Sequence, residues 1–336
     1  MKKILVVEVN WLGDCVMSLP AFSALKEKFK DSYIAVVCPE RLKELFGVIP
    51  SVDEVIVFDE KDTHRSFFSK IEFVKELKKK KFDIVFLLHR SFTKTLICKL
   101  ANIKEIIGFK RKKTRFLLTK KIEPRENLHR RDYYFSLFEK AGVSVKNRIP
   151  RIEPISPLTS LADKFFKKDN FFWIAVNPSA NWHLKRWPPH YFSFLFKYLL
   201  EEDVKIVLIG QKKDEDVVKK ILVSLNDKEK ERIINLCGKT NLKELISVLA
   251  RVDLLISSDS GPAHLASALG RKVLVLFGPT SPSITAPSGK DVYILRKDVG
   301  CKIPCYNLKC KDNICMKKIE PQDVFLKVKE ILYGKN

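Results

Sequence analysis

Three short stretches of this 336-residue chain combine residue types that could do chemistry. The first is Glu8-Val9-Asn10-Trp11-Leu12-Gly13-Asp14, which follows the apolar run Ile4-Leu5-Val6-Val7. Gly13 permits a tight turn or a close backbone approach. Asp14 comes directly after it, and a carboxylate there can take the proton of an attacking hydroxyl. It can equally cap the helix that follows, a position Asp favours. No GxGxxG is present, which argues against a dinucleotide cofactor.

The second stretch runs from Asn177 to Pro188 and contains Ser179, Asn181, Lys185 and Arg186. These donors and cations are the types that hold a diphosphate and neutralise one as it departs. A polar loop with a solvated basic pair is the plain alternative. The third is Ser258-Asp259-Ser260-Gly261-Pro262-Ala263-His264, with Gly270 beyond it. Gly261 and Pro262 mark a helix start and Gly270 its end. Backbone N–H groups at such a start form an anion site, to which Ser260 and His264 can add donors. An ordinary Asp/Ser cap is the alternative. Three further turns rank lower, because most loop residues bind nothing. Phe277-Gly278-Pro279-Thr280-Ser281-Pro282 could wall the pocket, Gly238-Lys239-Thr240-Asn241 could border a nucleobase, and Asp214 could meet ribose hydroxyls.

Eight cysteines divide into two sets. Cys15, Cys38, Cys98 and Cys237 lie in apolar surroundings and read as small buried residues. Cys301-x3-Cys305-x4-Cys310-x4-Cys315 is a cluster, but without the paired C-x-x-C of common zinc ribbons. Metal, disulfides and reduced thiols stay open, with reduced thiols favoured and no metal expected.

Side chains so far apart in sequence need a frame. Short apolar runs at Ile4–Val7, Tyr33–Val37, Val55–Phe58 and Ile84–Leu88 read as strands buried on both faces. Helical stretches alternate with them: Pro20–Phe29, Arg41–Phe46 and Phe67–Lys80, the last with Ile71, Val74 and Leu77 on one face. The rhythm fails between residues 145 and 160, where Pro150, Pro154 and Pro157 fall close together. It restarts with strands at Phe172–Val176, Lys205–Ile209, Ile233–Leu236, Leu254–Ile256 and Val273–Phe277. A last helix, Pro321–Tyr333, carries Val324, Phe325, Val328 and Leu332 in register. This alternation predicts two doubly wound α/β domains, at 1–155 and 156–320, with a C-terminal helix at 321–336. Ligands of such sheets bind beyond the carboxyl ends of the strands, and a cleft between two domains can hold two substrates.

Lys and Arg number 63 against 40 Asp and Glu, a net charge of +23. That balance suits nucleic acid, an anionic membrane or a phosphorylated substrate, or else reflects a Lys-rich proteome. Basic runs lie at Lys78–Lys81 and at Lys110-Arg111-Lys112-Lys113 with Arg115, the second placed to face an acceptor or a membrane. Neither carries an aromatic-interleaved nucleic-acid motif. No apolar run is long enough to span a bilayer, and the start lacks a secretory signal, so a cytoplasmic protein is expected.

Taken together, Asn10–Asp14, Lys185-Arg186-Trp187-Pro188, Asp259–His264 and Phe277–Pro282 resemble the ADP-heptose:lipopolysaccharide heptosyltransferases of glycosyltransferase family 9. Order and approximate spacing agree nearly end to end. Cys315-Met316, and Ser91-Phe92-Thr93-Lys94-Thr95 leading to Ile107-Gly108-Phe109, lean toward the heptosyltransferase II branch. Many members carry Thr or Glu where Ala180 and Asn181 lie, which bears on sugar recognition.

The resemblance implies a GT-B fold, with two Rossmann-like domains facing a central cleft. It also implies inverting, metal-independent transfer of L-glycero-D-manno-heptose from ADP-heptose, without a cofactor. Asp14 then matches the general base and Lys185 the residue that neutralises the diphosphate. Asp259, Ser260, Gly261 and His264 match the donor-binding turn, and Ser179, Asn181, Asp214 and Thr240, nominated by residue type and position, would hold the donor with them. Gly13, Arg65, Arg90 and Lys94 would meet the acceptor, either Kdo-lipid A or heptosyl-Kdo-lipid A. The expected setting is a monomer at the cytoplasmic face of the inner membrane, against anionic lipid and without nucleic acid. Two other readings stand beside it: a related GT-B transferase with another nucleotide sugar or acceptor, and a basic non-enzymatic nucleic-acid-binding protein.

Overall fold

A computed structural model describes residues 1–153, 166, 169–305 and 307–334. Pro154 and Pro157 of the expected linker, and the 155/156 boundary, lie outside the described residues. The chain divides into two compact units, Met1–Pro150 and Arg151–Asn336.

Unit 1 holds six strands: β1 Lys3–Val7, β2 Tyr33–Cys38, β3 Glu54–Val57, β4 Ile84–Leu87, β5 Glu105–Phe109 and β6 Lys120–Ile122. All pairings are parallel, in the order β3-β2-β1-β4-β5-β6. The central strands are continuous Val, Ile and Leu runs because helices cover both faces of the sheet. The edge strand β6, Lys-Lys-Ile, is mostly exposed and carries no such run, so it does not stand out in the sequence. The helix Phe67–Lys80 begins where Ser66 Oγ accepts from Ser69 N at 3.0 Å. Its buried face is Phe73 and Leu77, with Val74 at the margin, while Ile71 is 36% exposed. The expected stripe is thus rotated, because the Phe73 ring packs on Phe58 at 4.6 Å and takes the inner place. Arg41–Phe46 divides into a 3-10 turn, Glu40–Leu42, and a single helical turn, Lys43–Phe46.

Unit 2 repeats the plan with β7 Phe172–Asn177, β8 Val204–Leu208, β9 Ile233–Asn235, β10 Leu254–Ser258, β11 Lys272–Leu276 and β12 Val292–Leu295. The order is β12-β11-β10-β7-β8-β9, again all parallel. Trp187, Phe192 and Phe196 share one core with Val324, Val328 and Ile331 of the helix Pro321–Tyr333. Trp187 also donates from Nε1 to the Ile319 carbonyl at 2.8 Å, tying the tail of the chain to this unit.

Both units are Rossmann-like, and each has a switch point where the strand order reverses, between β1 and β4 and between β7 and β10. The crevice beyond the carboxyl ends at such a point is where these sheets bind ligands. Asp14 follows β1, Asn177 ends β7 with Pro178–Lys185 beyond it, and Asp259 follows β10, so the chemically suggestive stretches lie at these two points. Among the described residues no helix is long and apolar enough to cross a membrane.

Candidate active site

In unit 1 the chain leaves β1 and turns into the helix Leu12–Ser18. Asp14 stands in the first turn of that helix and does not cap it; the N-cap is Trp11, and no side chain makes a cap bond. The Asp14 carboxylate accepts a 2.7 Å hydrogen bond at Oδ1 from the Tyr134 hydroxyl. Among the described residues Oδ2 has no hydrogen-bond partner. Tyr134 belongs to the helix Arg130–Lys140, which packs on Leu12–Ser18. Burial first, and then the Asp14 charge, push the Tyr134 hydroxyl well above its ordinary pKa, so it stays a donor.

Below Asp14 lies Glu8, fully buried. Ser18 Oγ donates to its Oε1 at 2.7 Å and the Val9 amide to its Oε2 at 3.2 Å. Burial pushes the Glu8 carboxyl up from 4.5 to about 7, against the pull of these hydrogen bonds. Glu8 therefore clamps the loop to the helix that bears Asp14.

The candidate acceptor residues separate by burial. Gly13 is buried within the helix that carries Asp14. Arg65 is exposed in the loop before Phe67–Lys80. Arg90 is half-buried, pairs with Glu126 at 3.0 Å and lies over the Tyr133 ring at 5.6 Å, where Arg130 joins it at 5.5 Å. Lys94 is only 3% exposed, so it lies inside the unit and not on its surface. Its Nζ donates to Asn10 Oδ1 at 3.2 Å and to the Glu8 carbonyl at 3.4 Å, and burial lowers its pKa. Burial, then Lys94 and Arg111, push the His89 ring down to about 4, which makes it neutral at pH 7. Its Nε2 lies 3.1 Å from Asn10 Nδ2, so the neutral ring accepts there. Lys94 and His89 thus orient Asn10.

In unit 2 the helix Gly261–Ala268 starts at Ser260, whose side chain makes no cap bond. Ser260 Oγ instead joins Ser257 Oγ at 2.7 Å and Asn177 Nδ2 at 3.1 Å, linking the ends of β7 and β10. Asp259 is the centre of a charged group. Its Oδ2 accepts from Lys185 Nζ at 2.8 Å and from Thr285 Oγ1 at 2.9 Å, and His264 Nε2 lies 3.9 Å from Oδ1. Burial alone would raise this carboxyl, but the His264 ring and the Lys185 ammonium outweigh it and hold the pKa well below the usual carboxylate range. Ser258 Oγ, His264 Nδ1 and Thr280 Oγ1 are buried polar atoms without a partner among the described residues. Such atoms are costly unless something polar meets them.

Ser179 and Asp214 meet each other: Ser179 Oγ donates to Asp214 Oδ1 at 2.6 Å. Asp214 Oδ2 accepts from the Gln211 amide at 2.9 Å, and the residue is 5% exposed. Asp214 thus shapes the loop after β8, with each carboxylate oxygen already accepting one hydrogen bond. Asn181 is exposed and accepts from Lys213 at 2.7 Å. Thr240 is half-buried just before Asn241, the cap of the helix Leu242–Leu249.

All four clustered cysteines are free, and among the described residues no group of three or more His, Cys, Asp or Glu could hold a metal ion. The loop that carries them packs on the site. The Cys305 amide donates to the Pro279 carbonyl at 2.7 Å, and Asn313 Nδ2 donates to the Arg186 carbonyl at 3.3 Å. Gly278 is the point of closest approach: a Cβ there would lie 2.5 Å from Met316 Sδ and 3.2 Å from Cys315 Sγ.

Tyr134 and Thr285 are the partners that the sequence did not disclose. Each lies far along the chain from the carboxylate it serves, and no local motif marks it.

Residues 71–314 match the family model described as glycosyltransferase family 9 (heptosyltransferase). The chain is 28% identical to the lipooligosaccharide heptosyltransferase 2 of Haemophilus ducreyi, over 88% of each chain. It is 26% identical to the solved ADP-heptose lps heptosyltransferase II of E. coli, with a TM-score of 0.85 over 99% of both. A glycosyltransferase family 9 structure from Veillonella parvula matches with a TM-score of 0.91 at 25% identity, over 99% of this chain and 98% of that one.

Proposed function

The chain belongs to glycosyltransferase family 9, the heptosyltransferases, and from that premise we propose that it moves L-glycero-D-manno-heptose from ADP-heptose onto the lipopolysaccharide inner core with inversion at the anomeric carbon. It is a glycosyltransferase of the GT-B class, which sets aside a non-enzymatic nucleic-acid binder.

The observation that carries the proposal is the grouping of Lys185, Asp259, Thr285 and His264 at the start of Gly261–Ala268. A helix start attracts anions through its free N–H groups and partial positive charge. Asp259 holds the Lys185 ammonium in place before any donor arrives, so the charge that develops on departing ADP meets a fixed cation. Ser260, Gly261 and His264 line the same turn. Ser179 and Asp214 act from behind by fixing the loop after β8, while Asn181 and Thr240 are the more accessible donor contacts.

In unit 1, Asp14 is the general base. Tyr134 occupies Oδ1 and leaves Oδ2 to take the acceptor proton. As that proton moves, the acceptor oxygen bonds to the anomeric carbon. The bond from that carbon to the β-phosphate oxygen breaks, and its electron pair leaves with ADP. A single in-line displacement inverts the centre. Gly13, Arg65 and Arg90 serve the acceptor, whose carboxylates and phosphates suit guanidinium groups; Lys94 serves it indirectly, by fixing Asn10. The designation heptosyltransferase 2 shared by the relatives favours an acceptor that already bears one heptose, heptosyl-Kdo-lipid A; a glycolipid acceptor in turn favours the inner face of the inner membrane as the place of transfer.

The test is a transfer assay of the purified protein with ADP-heptose against Kdo-lipid A with and without the first heptose. Transfer with inverted anomeric configuration, only onto the acceptor that bears a heptose, is expected. Product with another nucleotide sugar but none with ADP-heptose would assign the enzyme to a different donor.

A further inference from the structure

We infer that the carboxyl rim of unit 1, beside the helices Phe67–Lys80 and Phe92–Leu100, is a docking surface for an anionic phospholipid bilayer. Phe67, Phe68, Phe92 and Phe116 are 72, 77, 43 and 69% exposed. They form two ring pairs, Phe67 with Phe68 at 6.2 Å and Phe92 with Phe116 at 6.4 Å.

Strand direction sets both pairs on one rim. β3, β4 and β5 run parallel in one sheet, so the helices joining them must begin at the carboxyl edge and run back. Phe67, Phe68 and Phe92 occupy the first turns of these two helices. The helices share one buried cluster through Phe73, Leu77, Ile97 and Cys98, so their starts lie side by side. Phe116 reaches the same rim through its contact with Phe92.

Cations adjoin the rings. Lys110, Arg111, Lys112, Lys113 and Arg115 are all exposed. Arg111 Nη1 donates to the Arg90 carbonyl at 3.0 Å, which ties this turn to the start of Phe92–Leu100. Glu123 meets only Lys110 of the five. The loop before Phe67 also carries Asp59, Glu60 and Asp62, so the positive charge comes from the 110–115 turn.

Proteins rarely group exposed rings of this size without a partner. Rings that enter the acyl boundary beside cations that meet phosphates are the chemistry of interfacial binding. A single-stranded nucleic acid needs separate open ring faces on which to stack. Here the two rings of each pair stand tilted to one another, at 72° and 54°, so they present no run of parallel faces for successive bases. The inference rests on the proposed glycolipid acceptor, which lies in such a bilayer.

The test sediments the full chain with vesicles of phosphatidylglycerol and phosphatidylethanolamine, and with phosphatidylcholine vesicles alone. Binding to the anionic vesicles is expected, with partitioning weakened roughly ten-fold or more by the combined Phe67→Ser, Phe68→Ser, Phe92→Ser and Phe116→Ser variant. Lys112→Glu with Lys113→Glu should weaken it several-fold and flatten its salt dependence. Phe194→Ser, at a ring 51% exposed in unit 2, should change nothing. The inference is overturned if the quadruple variant partitions like the wild type or if Phe194→Ser costs as much. It is also overturned if an oligouridine displaces the wild type from vesicles and loses affinity for the quadruple variant. Transfer to a deacylated, water-soluble acceptor separates docking from catalysis, because the quadruple variant should keep its rate there. Vesicle binding without any transfer by the wild type would defeat the proposed function and leave the docking surface standing.

Discussion

Tyr134 donates a 2.7 Å hydrogen bond to Oδ1 of Asp14 across a separation of 120 residues. One carboxylate oxygen is thereby fixed by the fold, and the other has no hydrogen-bond partner among the described residues, as the proposed general base requires. Asp14→Asn should lower kcat by roughly 10²–10⁴-fold, the contribution a general base commonly makes. ADP affinity, measured by calorimetry, should stay within a few-fold. A near-normal rate would place the base elsewhere. Tyr134→Phe should lower kcat roughly ten-fold through misorientation, with the donor KM unchanged.

Lys185 and Asp259 should behave as one unit. Lys185→Ala leaves an Asp259 that is 5% exposed without its ammonium, and an uncompensated buried charge is costly. The expected loss is ~2 kcal/mol in stability, below the fully buried range because the Lys185 side chain is itself 21% exposed. Donor affinity and rate should fall as well. Combining Lys185→Ala with Asp259→Asn should restore stability in denaturant titrations while activity stays lost. Additive stability losses in the two variants would show that the pair is not coupled.

Glu8 predicts a pH dependence of stability. Its carboxyl is raised from 4.5 to about 7 by burial. Between those values the folded state binds more protons than the unfolded state, so stability falls as pH rises through that window and is lowest above it. Glu8→Gln cannot ionise. Its amide oxygen can accept from the Val9 amide and its nitrogen can donate to Ser18 Oγ, whose own proton goes to the Cys15 carbonyl. The variant should match the wild type near pH 4 and exceed it by up to ~3 kcal/mol near pH 8. Urea midpoints at the two pH values check this, and parallel curves would refute it.

Gly278 should tolerate no side chain. A Cβ would fall 2.5 Å from Met316 Sδ, and Met316 is fully buried in the core of unit 2. Gly278→Ala should cost ~1–3 kcal/mol by overpacking. Combined with Met316→Ala, which carries its own cavity cost, the loss should be smaller than the sum of the two single losses. An unchanged melting temperature for Gly278→Ala alone would mean that the cysteine loop is not pressed against the turn.

The sequence disclosed the frame because burial on both faces writes itself into consecutive residues. β1 and β4 carry unbroken apolar runs, and each is a central strand. β6 and β12 lie at edges, where exposed positions interrupt the pattern, and they were not visible in advance. The helix Phe67–Lys80 was legible in extent but not in facing, since Phe73 and Ile71 compete for one inner place and only packing chooses between them.

The same division holds at the site. Asp14, Lys185 and Asp259 could be nominated from the sequence alone, because a turn at a strand end and a helix start are local features. What each side chain does was decided by the strand order. Placing β10 beside β7 brings Lys185 to Asp259, and packing Arg130–Lys140 on Leu12–Ser18 brings Tyr134 to Asp14. Lys94 and Asp214 looked like surface ligands until folding buried one against Asn10 and closed the other onto Ser179 and Gln211. Residue type and spacing determine which chemistry is available along the chain. Only the tertiary structure decides which charges are compensated and which atoms remain open to a substrate, because desolvation and pairing depend on neighbours that sequence distance does not reveal.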